Sequence, residues 1–184
     1  MVANFEGAVP LLFATAAAGI VAAARIAYVR YRRGQPYPAA LLDSALTVLV
    51  VLVIFDLLVI ALMTHGPRFR HVQFLPLQDL WETFTNSSRR PERTLVIGNA
   101  LLFVPLGFLL PLRFRSLDRF WSMALLAAGF SLLIEVAQFL IGGHESSVDD
   151  VIVNTLSALA GMLAMRTARA LFRAALPSPP AAAG

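Results

Sequence analysis

The chain has 184 residues, of which 58% are hydrophobic and only 14% charged, with a formal net charge of +4. That balance excludes intrinsic disorder, which needs low hydrophobicity and high charge. It also argues against a soluble globular enzyme, in which about a quarter of residues are charged. Cysteine is absent, so disulfides, thiolate metal sites and cysteine nucleophiles are excluded as well.

A membrane-crossing helix needs about 20 mostly apolar residues. Five continuous stretches meet or approach this, over 8–29, 41–63, 95–112, 121–141 and 149–168. Helices satisfy their own backbone groups in lipid, and the runs lack the alternation of a β-barrel. The fold expected is an all-α polytopic transmembrane helix bundle with five spans, or four if the first lies in the interface. Residues 1–173 form a single transmembrane domain. The remainder, 174–184, rich in Pro and Ala, reads as a disordered tail.

The first span is Ala-rich and carries Arg25. Asn4 and Glu6 precede it, and Arg30, Arg32 and Arg33 follow it. A signal peptide has the opposite order, so this is a retained helix with its N-terminus outside. Arginine counting supports that topology. The short cytoplasmic pieces hold Arg30, Arg32, Arg33, Arg113, Arg115, Arg119, Arg166, Arg169 and Arg173, and the loop 142–148 holds none. The long loop 64–94 is the exception, with Arg68, Arg70, Arg89, Arg90 and Arg93. The expected location is a bacterial cytoplasmic membrane, N-terminus outside and C-terminus inside. The arginines stand in clusters between apolar runs, which fits membrane topology and not nucleic acid.

Within the loop 64–94, Leu77, Leu80, Trp81 and Phe84 are spaced by threes and fours. They share one helical face, which predicts either a short amphipathic helix at the membrane interface or a segment packed on the bundle.

Polar groups inside apolar spans mark function or helix pairing. Asn99 lies near the start of the third span, Glu135 and Gln138 in the fourth, and Asp149, Asp150 and Asn154 at the start of the fifth. Ser131, Glu135 and Gln138 form one helical stripe; Asp150, Asn154, Ser157 and Gly161 form another. The two helices are joined by about seven residues, so they are expected to be antiparallel neighbours with facing stripes. With the N-terminus outside, all these groups fall in the outer half of the membrane, which predicts an outward-opening polar pocket. Glu135 there must be protonated, paired or hydrated. The amides serve equally well as helix-to-helix bonds, and Asp149 and Asp150 as ordinary acidic residues of a helix start. Asp56, in the second span, is expected to be protonated or paired and has no assigned role. Pro105 should kink the third span, with Gly107 adding freedom. His144, Glu145, Asp149 and Asp150 are a weak cation set, and no metal or other cofactor is expected. No Ser-His-Asp order, phosphate-binding glycine loop or HExxH is present.

Three segments together resemble the VanZ-like family: Asn99 to Pro111 with Phe103, Pro105 and Gly107; Ser131 to Gln138 with Glu135; and Asp149-Asp150 to Asn154-Thr155. Gln73-Phe-Leu-Pro76-Leu77 is similar to the family's preceding Asn-Leu-x-Pro-Phe segment in a looser form. The resemblance covers about residues 70–165. It departs at His144, where the family usually has Arg, at Ser147, where it has Asp, and at Ser157, where it has Gly. The arginine that would pair with Glu135 or Asp150 is thus missing from its usual place.

The resemblance implies a bacterial envelope protein, and its namesake is associated with resistance to teicoplanin. Three functions are open. The favoured one is a protein that binds an amphiphile or lipid-linked precursor, or a glycopeptide-related ligand, around Asn99, Glu135, Gln138, Asp149, Asp150 and Asn154. The second is an enzyme on an envelope lipid with Glu135 as acid or base, disfavoured by the lack of a catalytic motif. The third is a structural subunit of an envelope complex. The partner common to all three is the lipid bilayer.

Overall fold

The structure is a computed structural model, and it describes residues 2–63, 71–73, 75–86, 90–141 and 145–175. Six helices follow in order: α1 (Val2–Arg32), α2 (Tyr37–Met63), α3 (Gln78–Thr85), α4 (Arg90–Arg113), α5 (Phe120–Ile141) and α6 (Val148–Ala175). Two strands, β1 (His71–Gln73) and β2 (Glu145–Ser147), precede α3 and α6. All the helices but α3 are long and apolar enough to cross a membrane, with spans at Phe13–Arg32, Tyr37–Val59, Val96–Arg113, Phe120–Ile141 and Val148–Ala175. The protein is therefore an all-α, five-span bundle. Beyond Ala175 the expected tail lies outside the described residues.

Apolar residues distribute as a lipid solvent requires. Leu125, Leu133 and Leu163 are among many large apolar side chains facing outward. The interior is filled by Val50 and Leu57 of α2, Phe103, Leu106 and Leu110 of α4, Met123, Ala127 and Ile134 of α5, and Ala158, Leu159 and Met162 of α6. The most buried of the spans is α6, which packs against α4 on one side and α5 on another.

The contact of α4 with α6 explains two glycines. A Cβ on Gly107 would lie 1.8 Å from the Ala158 carbonyl oxygen, and one on Gly161 would lie 2.0 Å from that of Val104. Backbone touches backbone here, which only small residues permit. Helix α4 continues through Pro105 and Pro111, and Gly107 serves this contact in addition to any freedom it lends the chain.

Helix α1 packs on α2. Gly19 admits Leu52, Thr15 Oγ1 donates to Asp56 Oδ1 at 3.2 Å, and Arg30 pairs with Asp43 at the connecting turn. That turn is a Schellman motif. Gly34 has φ +94°, its N–H reaches Tyr31 O at 2.9 Å, and the Gln35 N–H reaches Arg30 O at 3.2 Å. Pro36 then precedes the first turn of α2.

The strands are an addition to the sequence expectation, which contains none. They pair in parallel, with His71, Val72 and Gln73 opposite Glu145, Ser146 and Ser147. The partners are far apart in sequence and three residues long, too short to show an alternating pattern. Their effect is positional: both run toward helix starts, so the N-termini of α3 and α6 are brought together.

Candidate functional site

The site lies where α5 ends and α6 begins. Ser147 immediately precedes α6, and its Oγ accepts the Asp149 N–H at 3.1 Å, a serine N-cap of ordinary form. Glu135, one and a half turns before the end of α5, accepts the Ser147 N–H through Oε2 at 3.3 Å. Asp149 accepts two amides of the α3 start, from Leu77 at 2.5 Å and Leu80 at 3.0 Å. One continuous series of hydrogen bonds thus ties α5, β2, α6 and α3. Glu135, Ser147 and Asp149 are 6%, 5% and 1% exposed, so these bonds are shielded from competing water.

One turn further along α6, Asn154 Nδ2 donates to Ser131 Oγ at 2.9 Å. The pairs 131–154 and 135–147 run in opposite directions along the two chains, so α5 and α6 are antiparallel; Ser131 and Asn154 of the expected stripes meet, while Gly161 faces Val104 of α4 instead of α5. Asn154 Oδ1 is fully buried and receives no hydrogen bond. A buried acceptor left in this state costs about 1–3 kcal/mol. Gln138 and Asp150 are buried on the same two helices.

Not every expected residue joins this group. Asn99 is a helical residue of α4 whose side chain lies outside the described set. His144 also lies outside it, as do the side chains of Glu145 and Ser146. Asp56 belongs to the seam between α1 and α2, with Thr15 as its partner.

Two members, Ser147 and Leu77, are not among the site residues expected from the sequence. Ser147 could have been found as the Ser that stands before the acidic first turn of α6. Leu77 could not: it occupies the left-handed region, φ 68°, at the N-cap of α3, where a leucine gives no signal.

Helix α3 forms with Leu80, Trp81 and Phe84 of the expected face within it, while Leu77, expected on the same face, stands outside it as the left-handed N-cap. Thr83 points inward and is 1% exposed, while Trp81, at 72%, and Phe84 point away from the bundle.

The VanZ/LLP1 family model matches residues 44–172, well over half of the chain. The chain belongs to the VanZ/LLP1 family. Comparison with curated proteins and with solved structures gave no match. In this VanZ/LLP1 chain the match begins inside α2 and ends near the close of α6, so it contains every member of the site. Helix α1 lies before it.

Proposed function

We propose that the VanZ/LLP1 chain binds the polar head of an envelope amphiphile, such as a lipid-linked precursor, at the acidic end of the bundle. The observation that supports it best is Asn154 Oδ1, a buried acceptor with no donor, one turn from the hydrogen-bonded series through Glu135, Ser147 and Asp149. Such an acceptor suits a head group that brings hydroxyl or amine donors, while its acyl chain lies along the apolar outer faces of the helices.

The arginine distribution supports the reading that the acidic end faces outward from a bacterial cytoplasmic membrane, with the N-terminus outside and the C-terminus inside. Teicoplanin acts on that face, and the family link favours an amphiphile of the same envelope chemistry. Glu135 Oε2 is already held by the Ser147 amide, which favours a binding role over proton transfer.

The test is native mass spectrometry of the purified protein with a panel of envelope lipids and lipid-linked precursors. Glu135→Gln and Asn154→Leu variants with wild-type helical content should lose retention of one class. Unchanged retention by both variants would overturn the proposal.

A further inference from the structure

The opposite end of the bundle carries the C-termini of α1, α4 and α6. Two carboxylates stand there among the described residues, and both are engaged within the chain. Asp43 pairs with Arg30, and Asp118, between α4 and α5, accepts Arg166 at 2.7 Å and Arg169 at 3.0 Å. Arg32, Arg33, Arg115, Arg119 and Arg173 are exposed and, among the described residues, have no carboxylate against them. The described residues therefore leave this excess positive charge without a counter-charge.

Its height relative to the membrane is marked by aromatic rings. Tyr31, Phe114, Phe120 and Phe172 are exposed and stand next in sequence to Arg32, Arg115, Arg119 and Arg173. Trp121, 74% exposed, packs edge-on against Phe120 with ring centres 5.2 Å apart, and Tyr31 meets Tyr37 in the same way at 5.8 Å. Exposed Trp and Tyr rings of this kind sit at headgroup depth. From Asp150 to Arg166 is sixteen residues of α6, about 24 Å of rise, comparable to the hydrocarbon thickness. The exposed rings beside these arginines mark this as an interfacial end of the bundle.

We propose that this end is a binding surface for anionic phospholipids, which supply the counter-charge that the described residues lack. Every basic residue of the protein is arginine, and its planar fork takes a phosphate through two parallel hydrogen bonds where lysine offers a point charge. A lipid with net negative charge satisfies the surface, and a zwitterionic one brings its own cation and does not. The inference holds for whichever leaflet this end faces, and it does not depend on the function assigned to the acidic end.

The experiment uses the full chain in a neutral detergent, with phosphatidylglycerol or phosphatidylcholine of equal chain length added. Thermal midpoint and lipid retention in native mass spectrometry are read together. Phosphatidylglycerol should raise the midpoint and stay bound; phosphatidylcholine and inorganic phosphate should do neither. A variant with Gln at Arg32, Arg33, Arg115 and Arg119 should keep its helical content and bind phosphatidylglycerol many-fold more weakly. Should that variant not fold, the wild type in about 1 M sodium chloride, where the screening length is about 3 Å, should lose the preference. Equal response to the two lipids, a preference that survives the substitutions or the salt, or a shift reproduced by inorganic phosphate alone would each overturn the proposal.

Discussion

Asp149 Oδ1 accepts the Leu77 amide at 2.5 Å across 72 residues of sequence, while Oδ2 accepts the Leu80 amide at 3.0 Å. A residue in the first turn of α6 therefore caps a different helix, α3. Its own turn is capped by Ser147. Replacement of a helix-capping acceptor by Ala costs about 0.5–2 kcal/mol. Asp149→Ala should therefore release α3 and leave the spans folded. Hydrogen exchange at the Leu80 amide should accelerate, and amides in the middle of α5 should keep their protection. Equal acceleration at both places would mean that Asp149 holds the whole bundle instead of one helix. Asp149→Asn, with one acceptor oxygen, should fall between.

Leu77 holds the cap at a price in conformation, with φ at 68°. A non-glycine residue there gives up about 1–2 kcal/mol. Its side chain is exposed, so side-chain loss is a small part of the balance. Leu77→Gly should therefore protect α3 more than Leu77→Ala does, the reverse of their order inside a helix. If Ala equals or exceeds Gly in protection of the Leu80 amide, the left-handed geometry is not maintained in the protein.

Gly107 and Gly161 allow α4 and α6 to touch through their backbones, and neither has room for a methyl group. Alanine at either position must push the helices apart. Overpacking of this kind costs about 1–3 kcal/mol, and the added atom meets a backbone carbonyl that cannot rotate away. The thermal midpoint in detergent should drop for each variant. Alanine at Gly129, which has open space around it, is the matched control and should change little.

The spans were legible because lipid imposes a crude demand. About 20 apolar residues must be continuous, and no partner is needed to recognise them. The meeting of α5 and α6 through Ser131 and Asn154 was legible for a similar reason, since a three- and four-residue period survives in any helix, whereas the small end of the α6 stripe, Gly161, turns to α4. Ser131 and Asn154 meet as that period requires. The pairing of β1 with β2, the left-handed Leu77 and the reach of Asp149 to α3 were not legible. The first and the last join residues more than 70 apart, whose partners leave no trace in the local pattern, and a leucine gives no sign of a left-handed backbone. Gly107 was read as a source of freedom because its neighbour is Pro105; its contact with Ala158 depends on which helix lies opposite.

Asp118 is held below its ordinary value of 3.8, first by the hydrogen bond from Arg166 and then by the charges of Arg166 and Arg169, against an opposing effect of burial. A carboxylate with a depressed folded value contributes stability that is complete above the unfolded value and disappears as pH falls through the folded one. Arg166 is partly exposed, which limits the contribution to about 0.2–1 kcal/mol. Asp118→Asn should therefore melt slightly below the wild type at neutral pH, and the two curves should converge below pH 3.8. A gap independent of pH would assign the effect to packing at the linker and not to charge.

Ser131 and Asn154 separate a binding role from simple helix pairing. If their hydrogen bond only locks α5 to α6, Ser131→Ala or Asn154→Leu should each cost about 0.6–2 kcal/mol, the usual range for polar contacts between membrane helices. The double variant should then recover much of that loss. Asn and Leu are similar in size, and removal of both partners leaves no buried group unsatisfied. The proposed function adds a further expectation. Asn154 Oδ1 is a spare acceptor in the folded chain, so the double variant should melt like the wild type and still fail to retain the amphiphile. Retention at the wild-type level by a stable double variant would leave Asn154 as a packing residue. Loss of retention in a protein of unchanged stability would assign the amide to the ligand.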